Sequence, residues 1–244
     1  MSLRPNVKRL NTLEIVAPDT KTRILDAAEE LFMEHGFEAT SLRLITTAAE
    51  VNLAAANYHF GSKEELFQAV LTRRLDPMNQ QRILLLSQFE RAAEASADPD
   101  GLTCEKILSA MFIPALTLAR DHERGGKNFL RLLGRAYADP APFIRSFLSL
   151  QYADMIARFR TAFARSLPHL SREDLSWRLH FVMGALSYTL AGTDVLKMIA
   201  QYHPEEAHSD ELLLNRLAPF LAAGLRAPPT VFGDTTGLYS EATP

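Results

Sequence analysis

Residues 41–66, SLRLITTAAEVNLAAANYHFGSKEEL, carry the strongest structural pattern in this 244-residue chain. They hold two short apolar-periodic segments on either side of a turn at residues 50–52. In the first segment Leu42, Ile45 and Ala49 recur at three- and four-residue spacing, so these residues share one face of a helix. The polar side chains expected to point away from that face are Arg43, Thr46 and Thr47. The pattern predicts two short helices joined by a tight turn.

Capping residues stand at the helix starts of this region. Ser41 is a predicted N-cap, because its hydroxyl can accept a free backbone N–H of the first turn. Ser62 and Glu65 form an S-x-x-E capping box, which predicts a new helix before Leu66. The N-terminus of that helix presents backbone N–H groups, and Lys63 beside them is predicted to clamp a phosphate.

The second short helix, predicted to begin near Asn52, has a small and nearly uncharged outer side. Val51, Ala56 and Phe60 are expected to face inward. The outward side chains near its N-terminal end are Leu53, Ala54, Ala55, Asn57 and Tyr58. Such a helix fits a major groove about 12 Å wide, where an amide can bond adenine and apolar groups can contact thymine methyls. The pattern indicates a helix-turn-helix DNA reader.

A longer amphipathic helix precedes this pair. Its apolar residues follow the spacing 0, 3, 4, 7, 8 of one helical face: Ile24, Ala27, Ala28, Leu31 and Phe32. The helix is predicted to end at His35–Gly36, with Gly36 as a left-handed C-terminal cap. Three helices are therefore expected to enclose one small core.

Residues 20–70 resemble the N-terminal DNA-binding domain of the TetR family of bacterial transcriptional regulators. The resemblance rests on RILDAAEELFMEHGFEATSLRLI at 23–45 and VNLAAANYHFGSKEEL at 51–66. Positions that agree in order are Arg23, Ile24, Leu25, Ala27, Ala28, Leu31, Phe32, Gly36, Phe37, Thr40, Ile45, Ala49, Val51, His59, Phe60, Lys63 and Leu66. The DNA-binding residues that the pattern and the resemblance together indicate are Ser41, Arg43, Asn52, Leu53, Ala54, Ala55, Asn57, Tyr58, His59 and Lys63.

Two positions depart from the family's pattern. The turn holds Glu50 where the family usually has Gly, and a non-Gly residue at positive φ costs about 1 kcal/mol. Asn57 stands where the family often has Tyr, so Tyr58 beside it is the expected substitute for that contact. By resemblance, Arg43 occupies a position from which some members reach a guanine.

Composition indicates an ordinary globular protein of two domains, with 47% hydrophobic and 23% charged residues. The single cysteine, Cys104, excludes a disulfide framework and a Cys-rich zinc site, and it is typical of a reducing cytoplasm. No apolar run reaches the length of a membrane span. The histidines at 169, 180, 203 and 208 show no metal-ligand spacing. We therefore expect a cytoplasmic protein with no cofactor, no metal and no membrane contact.

Charge supports DNA binding only weakly. Residues 20–75 contain six basic residues, which are Lys21, Arg23, Arg43, Lys63, Arg73 and Arg74. Against these stand eight acids: Asp26, Glu29, Glu30, Glu34, Glu38, Glu50, Glu64 and Glu65. We expect most of the acids on the first helix to face away from DNA. The arm before residue 20 adds Arg4, Lys8 and Arg9, which either follow the DNA or remain a solvated arm.

The remaining sequence predicts helices throughout, so the expected fold is all-α, with a three-helix N-terminal domain and a larger helical bundle that dimerises. The predicted segments are an arm at 1–19, a DNA-binding domain at 20–75, a ligand-binding and dimerisation domain at 76–226, and a tail at 227–244. A helix end or bend is predicted at Asp76–Pro77. Pro114 is expected to kink a helix over 104–120, and one long helix is expected over 143–167.

An apolar ligand pocket is predicted where Phe and Met are dense on helices broken by Pro and Gly, although such residues also suit a plain core. The candidates are Met111, Phe112, Leu116, Phe129, Leu133, Tyr137, Phe147, Tyr152, Met155, Phe159, Trp177 and His180. Residues 164–192 resemble TetR members that sense fatty acids or acyl-CoA, which implies an effector of that type. Arg131, Arg135 or Arg178 would hold its carboxylate or phosphate, or be surface residues.

The last two helices are predicted to pair two subunits, because small residues on one of them allow close helix approach. The resemblance also implies a four-helix dimer interface here, while packing within one chain is the alternative. The candidate residues are Gly184, Tyr188, Ala191, Gly192, Leu213, Leu217 and Phe220. Trp177, His180 and Tyr188 fit either the pocket or this seam.

Together these observations predict a ligand-responsive homodimeric repressor that binds a palindromic operator. An enzyme is not expected, because the chain has no G-x-S-x-G, P-loop, H-E-x-x-H or dinucleotide motif. The alternative is an architectural or cell-division DNA-binding protein on the same fold, with no effector.

Overall fold

A computed structural model describes residues 19–95, 101–121, 126–138, 141–190 and 210–228. The regular structure of these residues is helical, which confirms the predicted all-α fold. The helices are α1 (Thr20–Ala39), α2 (Leu42–Ala48), α3 (Leu53–Phe60), α4 (Lys63–Ala95), α5 (Cys104–Ala119), α6 (Gly126–Ala138), α7 (Pro142–Gln151), α8 (Ala153–Ser166), α9 (Arg172–Leu190) and α10 (Asp210–Arg226). Among these helices, none has both the length and the apolar character needed to cross a bilayer.

The first helix is interrupted where the sequence predicted its end. Gly36 has φ 80° and ψ 175°, outside the helical region, and glycine adopts this φ without the steric cost that a Cβ imposes. The hydroxyl of Thr40 donates to the Gly36 carbonyl at 2.7 Å. The turn from α1 into α2 is therefore fixed by one glycine and one threonine.

A small core holds α1, α2 and α3 against the start of α4. Ile24, Ala28 and Phe32 of α1, Ile45 of α2 and Phe67 of α4 are at most 1% exposed. The rings of Phe32 and Phe67 meet edge to face, with centroids 5.0 Å apart. The apolar spacing on α1 predicted this packing face.

The fourth helix runs through the predicted break at Asp76–Pro77. It extends for 33 residues, from Lys63 to Ala95, with Pro77 inside it. Proline cannot donate the helical hydrogen bond back to the residue four positions earlier. Leu75 and Met78 on either side of Pro77 are buried, and this packing holds the helix together across the missing bond. The same helix therefore belongs to both predicted domains.

The predicted long helix over 143–167 is in fact two helices, α7 and α8. Tyr152 separates them with φ −114° and ψ 18°. The break lets α7 pack on α4 while α8 packs on α5 and α9. The side chain of Tyr152 is buried at this corner. Pro114, by contrast, lies inside α5, which runs over Cys104–Ala119.

Two buried clusters organise the molecule. The first joins the N-terminal helices to α5, α6 and α7, and in it Phe143 of α7 lies 4.9 Å from Phe37 of α1 between ring centroids. The second lies among α4, α5, α8, α9 and α10. The N-terminal domain is thus packed directly on the C-terminal bundle.

Candidate nucleic-acid interface and ligand cavity

Both short helices have side-chain caps, of which only the one at Ser41 was predicted, and the caps use two of the candidate DNA contacts. Ser41 Oγ accepts from the backbone N–H of Leu44 at 3.2 Å. Asn52 Oδ1 accepts from the backbone N–H of Ala55 at 2.8 Å. Both side chains therefore position a helix end, and the Asn52 amide NH₂ is left as a donor.

The outer side of α3 is exposed to solvent. Leu53, Ala54 and Asn57 face solvent, and Tyr58 is 86% exposed. Ala56 and Phe60 point into the core as predicted. A slim apolar surface carrying one amide and one phenol is therefore available to a partner.

Three residues of this region are less accessible than the sequence suggested. Ala55 and His59 are half-buried, and Ala55 packs against the N-terminal core. Thr46, expected to point outward, is 5% exposed, and its hydroxyl donates to the Arg43 carbonyl at 3.1 Å. The local backbone bond lets Thr46 lie inside without an unpaired hydroxyl. Arg43 itself is exposed.

The turn between α2 and α3 is held from outside by α1. Glu50 has φ 53°, the left-handed conformation for which the family uses glycine. Arg23 Nη2 donates to the carbonyl of Ala49 at 2.5 Å and to that of Glu50 at 2.9 Å. Two charge-assisted hydrogen bonds on consecutive carbonyls stabilise this turn. Sequence reasoning found Arg23 only as a matching position and missed this function.

The capping box that begins α4 forms in both directions. Glu65 N–H donates to Ser62 Oγ at 3.1 Å, and Ser62 N–H donates to Glu65 Oε2 at 3.2 Å. Lys63 Nζ donates to the backbone carbonyl of Phe37 at 3.0 Å, and it lies 4.0 Å from the centroid of the Phe37 ring. Lys63 thus joins α4 to the end of α1, and an ammonium retains two further donors for a phosphate.

Part of the acidic charge on α1 is neutralised by α4. Glu29 is 3% exposed and pairs with Arg74 Nε at 2.5 Å and Arg73 Nη1 at 3.1 Å. Asp26 pairs with the same Arg73 nitrogen at 2.5 Å. These two acids therefore face α4, while the other acids of residues 20–75 lie on the surface.

A cavity of about 320 Å³ lies in the C-terminal bundle. Its wall is mainly apolar and is formed by α4, α5, α6, α7, α8 and α9. The lining residues are Arg82, Met111, Tyr137, Leu148, Tyr152, Met155, Ile156, Phe159, Arg160, Phe163, Ser176, Leu179, Val182, Met183 and Leu186. Five of the predicted pocket residues line it: Met111, Tyr137, Tyr152, Met155 and Phe159.

The other predicted pocket residues lie elsewhere. Phe112, Phe129 and Leu133 are buried in the cores, and Leu116 and Phe147 are half-buried outside the cavity wall. Trp177 and His180 are exposed and form a surface depression with Arg172, Glu173 and Ser176. Trp177 and His180 point away from the cavity because the face of α9 that lines it carries Leu179, Val182 and Leu186 instead.

The predicted anion-binding arginines also lie away from the cavity. Arg131 and Arg135 of α6 are exposed. Arg178 Nη1 donates to the carbonyls of Gly224 and Leu225 at 3.1 and 2.8 Å. Arg178 therefore caps the C-terminal end of α10.

The buried cation of the cavity wall, Arg82, was missed by sequence reasoning. Arg82 is 7% exposed, its Nε donates to the Met111 carbonyl at 2.9 Å, and its Nη1 donates to Asn79 Oδ1 at 3.0 Å. Burial lowers the pKa of Arg82, and the hydroxyl of Tyr137 beside it acts in the opposite direction. The sequence pattern did not indicate that Arg82 is buried, because it follows the polar residues 79–81 on a long helix and looks like a solvent-exposed side chain.

Tyr152 connects the cavity wall to α4. Its hydroxyl donates to Asp76 Oδ1 at 3.0 Å. Burial, followed by the bond to Asp76, raises the pKa of Tyr152 far above its ordinary value, so the phenol is the donor at any physiological pH. Tyr152 was predicted as a pocket residue, but its partner was not.

The candidate dimer residues are only partly described. Tyr188 is 49% and Phe220 71% exposed, Gly184 is exposed, and Leu217 is half-buried. Leu213 lies in α10, and Ala191 and Gly192 lie outside the described residues. An exposed stripe runs along α9 at helical spacing: Trp177, Phe181, Gly184 and Tyr188.

Helices α1, α2 and α3 form a three-helix head, in which α3 is the exposed reading helix, and this head packs on a helical bundle with a cavity. This is the helix-turn-helix architecture that the sequence predicted. Two family models match the chain: "Bacterial regulatory proteins, tetR family" over residues 24–70 and "Tetracyclin repressor-like, C-terminal domain" over residues 109–224. The chain belongs to the TetR family of bacterial regulatory proteins.

Individual relatives agree with this assignment. The regulator UidR of Escherichia coli (strain K12) is 37% identical over 62 residues, which are 25% of this chain and 32% of UidR. The repressor KstR of Rhodococcus jostii (strain RHA1) is 27% identical over 136 residues, 51% of this chain and 62% of KstR. The chain therefore matches less than two thirds of the length of either relative. Among solved structures, the SmeT–triclosan complex has a TM-score of 0.55 at 25% identity, covering 87% of this chain and 96% of SmeT.

Proposed function

We propose that this protein is a ligand-responsive homodimeric repressor that binds a palindromic operator and is released by a small apolar molecule. The observation that carries the proposal is the 3.0 Å hydrogen bond between Tyr152 on the cavity wall and Asp76 on α4. Because α4 begins beside the reading helix, a ligand that displaces Tyr152 also acts on the DNA-binding head. KstR carries the name repressor, and SmeT binds triclosan in its solved complex.

The exposed face of α3 supports DNA reading. Its small side chains permit entry into a major groove, Asn57 offers an amide for adenine, and Arg43 of α2 offers a guanidinium for guanine. The paired acids Asp26 and Glu29 do not oppose phosphates, because Arg73 and Arg74 neutralise them.

The exposed apolar stripe on α9 supports a homodimer. Large apolar side chains are rarely grouped on the surface of a monomeric protein, yet Trp177 is 56% and Phe181 63% exposed. Two copies of one short reading helix would gain specificity from a two-fold symmetric operator.

A selection of bound duplexes from a random DNA pool, followed by gel shifts, tests the proposal. We expect Arg43→Ala and Asn57→Ala each to cost about 1–3 kcal/mol and to relax the preference at one operator position. Arg131→Ala on α6 is the matched control and should bind as the parent does. Equal selectivity in all three variants would reject this reading surface.

A further inference from the structure

The cavity contains a positive charge that no carboxylate of the described residues neutralises. Arg82 is 7% exposed, and its hydrogen-bond partners are the Met111 carbonyl, Asn79 Oδ1 and the Tyr137 hydroxyl, all of them neutral. The described cavity wall includes no aspartate or glutamate. Asp76, one of the acids on α4, accepts from Tyr152 instead.

An unpaired buried cation is costly. Transfer of a charge from water into a poorly solvated interior is compensated by a counter-ion and hydrogen bonds, and neutral dipoles give only part of that compensation. The guanidinium does not escape by losing its proton, because its intrinsic basicity is too high. Among the described residues no acid fills this role, so an anion bound in the cavity would complete the arrangement.

The groups beside Arg82 suit a carboxylate. A planar guanidinium presents two parallel N–H donors to a carboxylate, and Tyr137 adds a phenol hydroxyl on the same wall. The rest of the wall is mainly apolar, as at Met155, Phe159 and Leu186. Its other polar members are the exposed Arg160 and Ser176 and the buried Tyr152. A ligand that satisfies both parts has one anionic end and an uncharged, apolar body.

We propose that the effector is a monoanionic apolar carboxylic acid whose carboxylate pairs with Arg82 and Tyr137 inside the cavity. This inference rests on the ligand-responsive function proposed above and specifies its ligand class. A molecule of liquid water occupies about 30 Å³, so a cavity of 320 Å³ accommodates a ligand of roughly ten non-hydrogen atoms. A short- to medium-chain or aromatic acid fits this size, and a nucleotide-bearing thioester does not.

Three eight-carbon probes of nearly equal size separate charge from apolarity: octanoate, octanol and octylammonium. Calorimetric titration of the full chain should show octanoate bound about tenfold or more tightly than octanol, one per chain, with no measurable binding of octylammonium. Equal affinity for octanoate and octanol in the unmodified protein would overturn the inference.

Variants assign the preference to Arg82. Arg82→Met should abolish the difference between octanoate and octanol, while the exposed Arg131→Met is the control that keeps it. Tyr137→Phe removes only a hydroxyl, so it should lower octanoate affinity and leave octanol affinity unchanged even if Arg82→Met fails to fold. Retention of the acid preference by a folded Arg82→Met, or an unchanged octanoate affinity in Tyr137→Phe, would overturn the assignment.

A gel shift with the selected operator separates this inference from the proposed function. Octanoate that binds through Arg82 without releasing DNA would contradict the proposed function and leave the ligand class intact. Release of DNA by octanol as efficiently as by octanoate would support the proposed function and reject the ligand class.

Discussion

The hydroxyl of Tyr152 and the carboxylate of Asp76 are joined by a hydrogen bond of 3.0 Å. Tyr152 stands at the corner between α7 and α8 with its side chain on the cavity wall. Asp76 lies on α4 two residues after Arg74, and Arg73 and Arg74 bind Glu29 of α1. A continuous set of bonds therefore leads from the cavity to the DNA-binding head.

Loss of this bond should weaken the response to the effector. Tyr152→Phe keeps the ring and removes the donor, so we expect the coupling between effector and operator binding to fall by about 1 kcal/mol. Operator affinity, measured by fluorescence anisotropy with and without octanoate, gives this coupling. Tyr188→Phe, on the exposed side of α9, is the control and should not alter it. An unchanged coupling in Tyr152→Phe would exclude this bond from signal transfer.

The strained turn offers a stability test. Glu50 has φ 53°, so Glu50→Gly should stabilise the fold by about 0.5–1 kcal/mol in urea unfolding, because glycine adopts this φ without steric cost. Glu50→Ala removes the same carboxylate but keeps a Cβ, which separates strain from charge. A gain of equal size in both variants would attribute the effect to charge.

Apolar spacing and capping residues predicted the head well, because its helices are short and their ends are set by local hydrogen bonds. The break at Gly36, the cap at Ser41 and the Ser62–Glu65 capping box all depend on neighbours within four residues. The continuous α4 was not predicted. Its passage through Pro77 depends on tertiary packing that no local pattern records.

The exposed stripe on α9 should govern assembly. We expect Phe181→Arg to shift the protein toward monomer in analytical ultracentrifugation and to lower operator affinity, since a buried unpaired charge opposes association. Leu150→Arg is a matched control, because Leu150 is 78% exposed on α7, away from the stripe. A Phe181→Arg protein that remains dimeric would place the interface elsewhere.

The pKa of the Cys104 thiol predicts a stability change at alkaline pH. Burial raises this pKa, so the folded chain keeps the proton where the unfolded thiol ionises, above about pH 8.5. The thiol's contribution to the free energy of unfolding is therefore fully present below that pH, and it is lost as the pH rises toward the pKa of the folded state. Relative to Cys104→Ala, the unmodified protein should lose up to about 1.4 kcal/mol per pH unit. Urea unfolding of both proteins from pH 7 to pH 10 measures this loss. If their free energies of unfolding changed with pH in the same way, the prediction would be contradicted.

The sequence predicted an apolar cavity in the C-terminal bundle but not the buried arginine on its wall. Density of Phe and Met located Met111, Met155 and Phe159, because apolar residues that face a cavity and those that face a core share one pattern. For the same reason that pattern also selected Phe129, which is core, and Trp177, which is exposed. Arg82 was missed, since burial of a charge depends on what the other helices place around it.

The hydrogen bonds that Arg23 donates to the carbonyls of Ala49 and Glu50 limit how the head can move when a ligand binds. These bonds hold α1 against the turn between α2 and α3, while the ion pair of Glu29 with Arg74 holds α1 against α4. Bending the reading helix alone would break charge-assisted bonds at both contacts. We therefore expect a displacement of α4 to move all three helices as a rigid body, and in the homodimer proposed above this would change the spacing between the two heads.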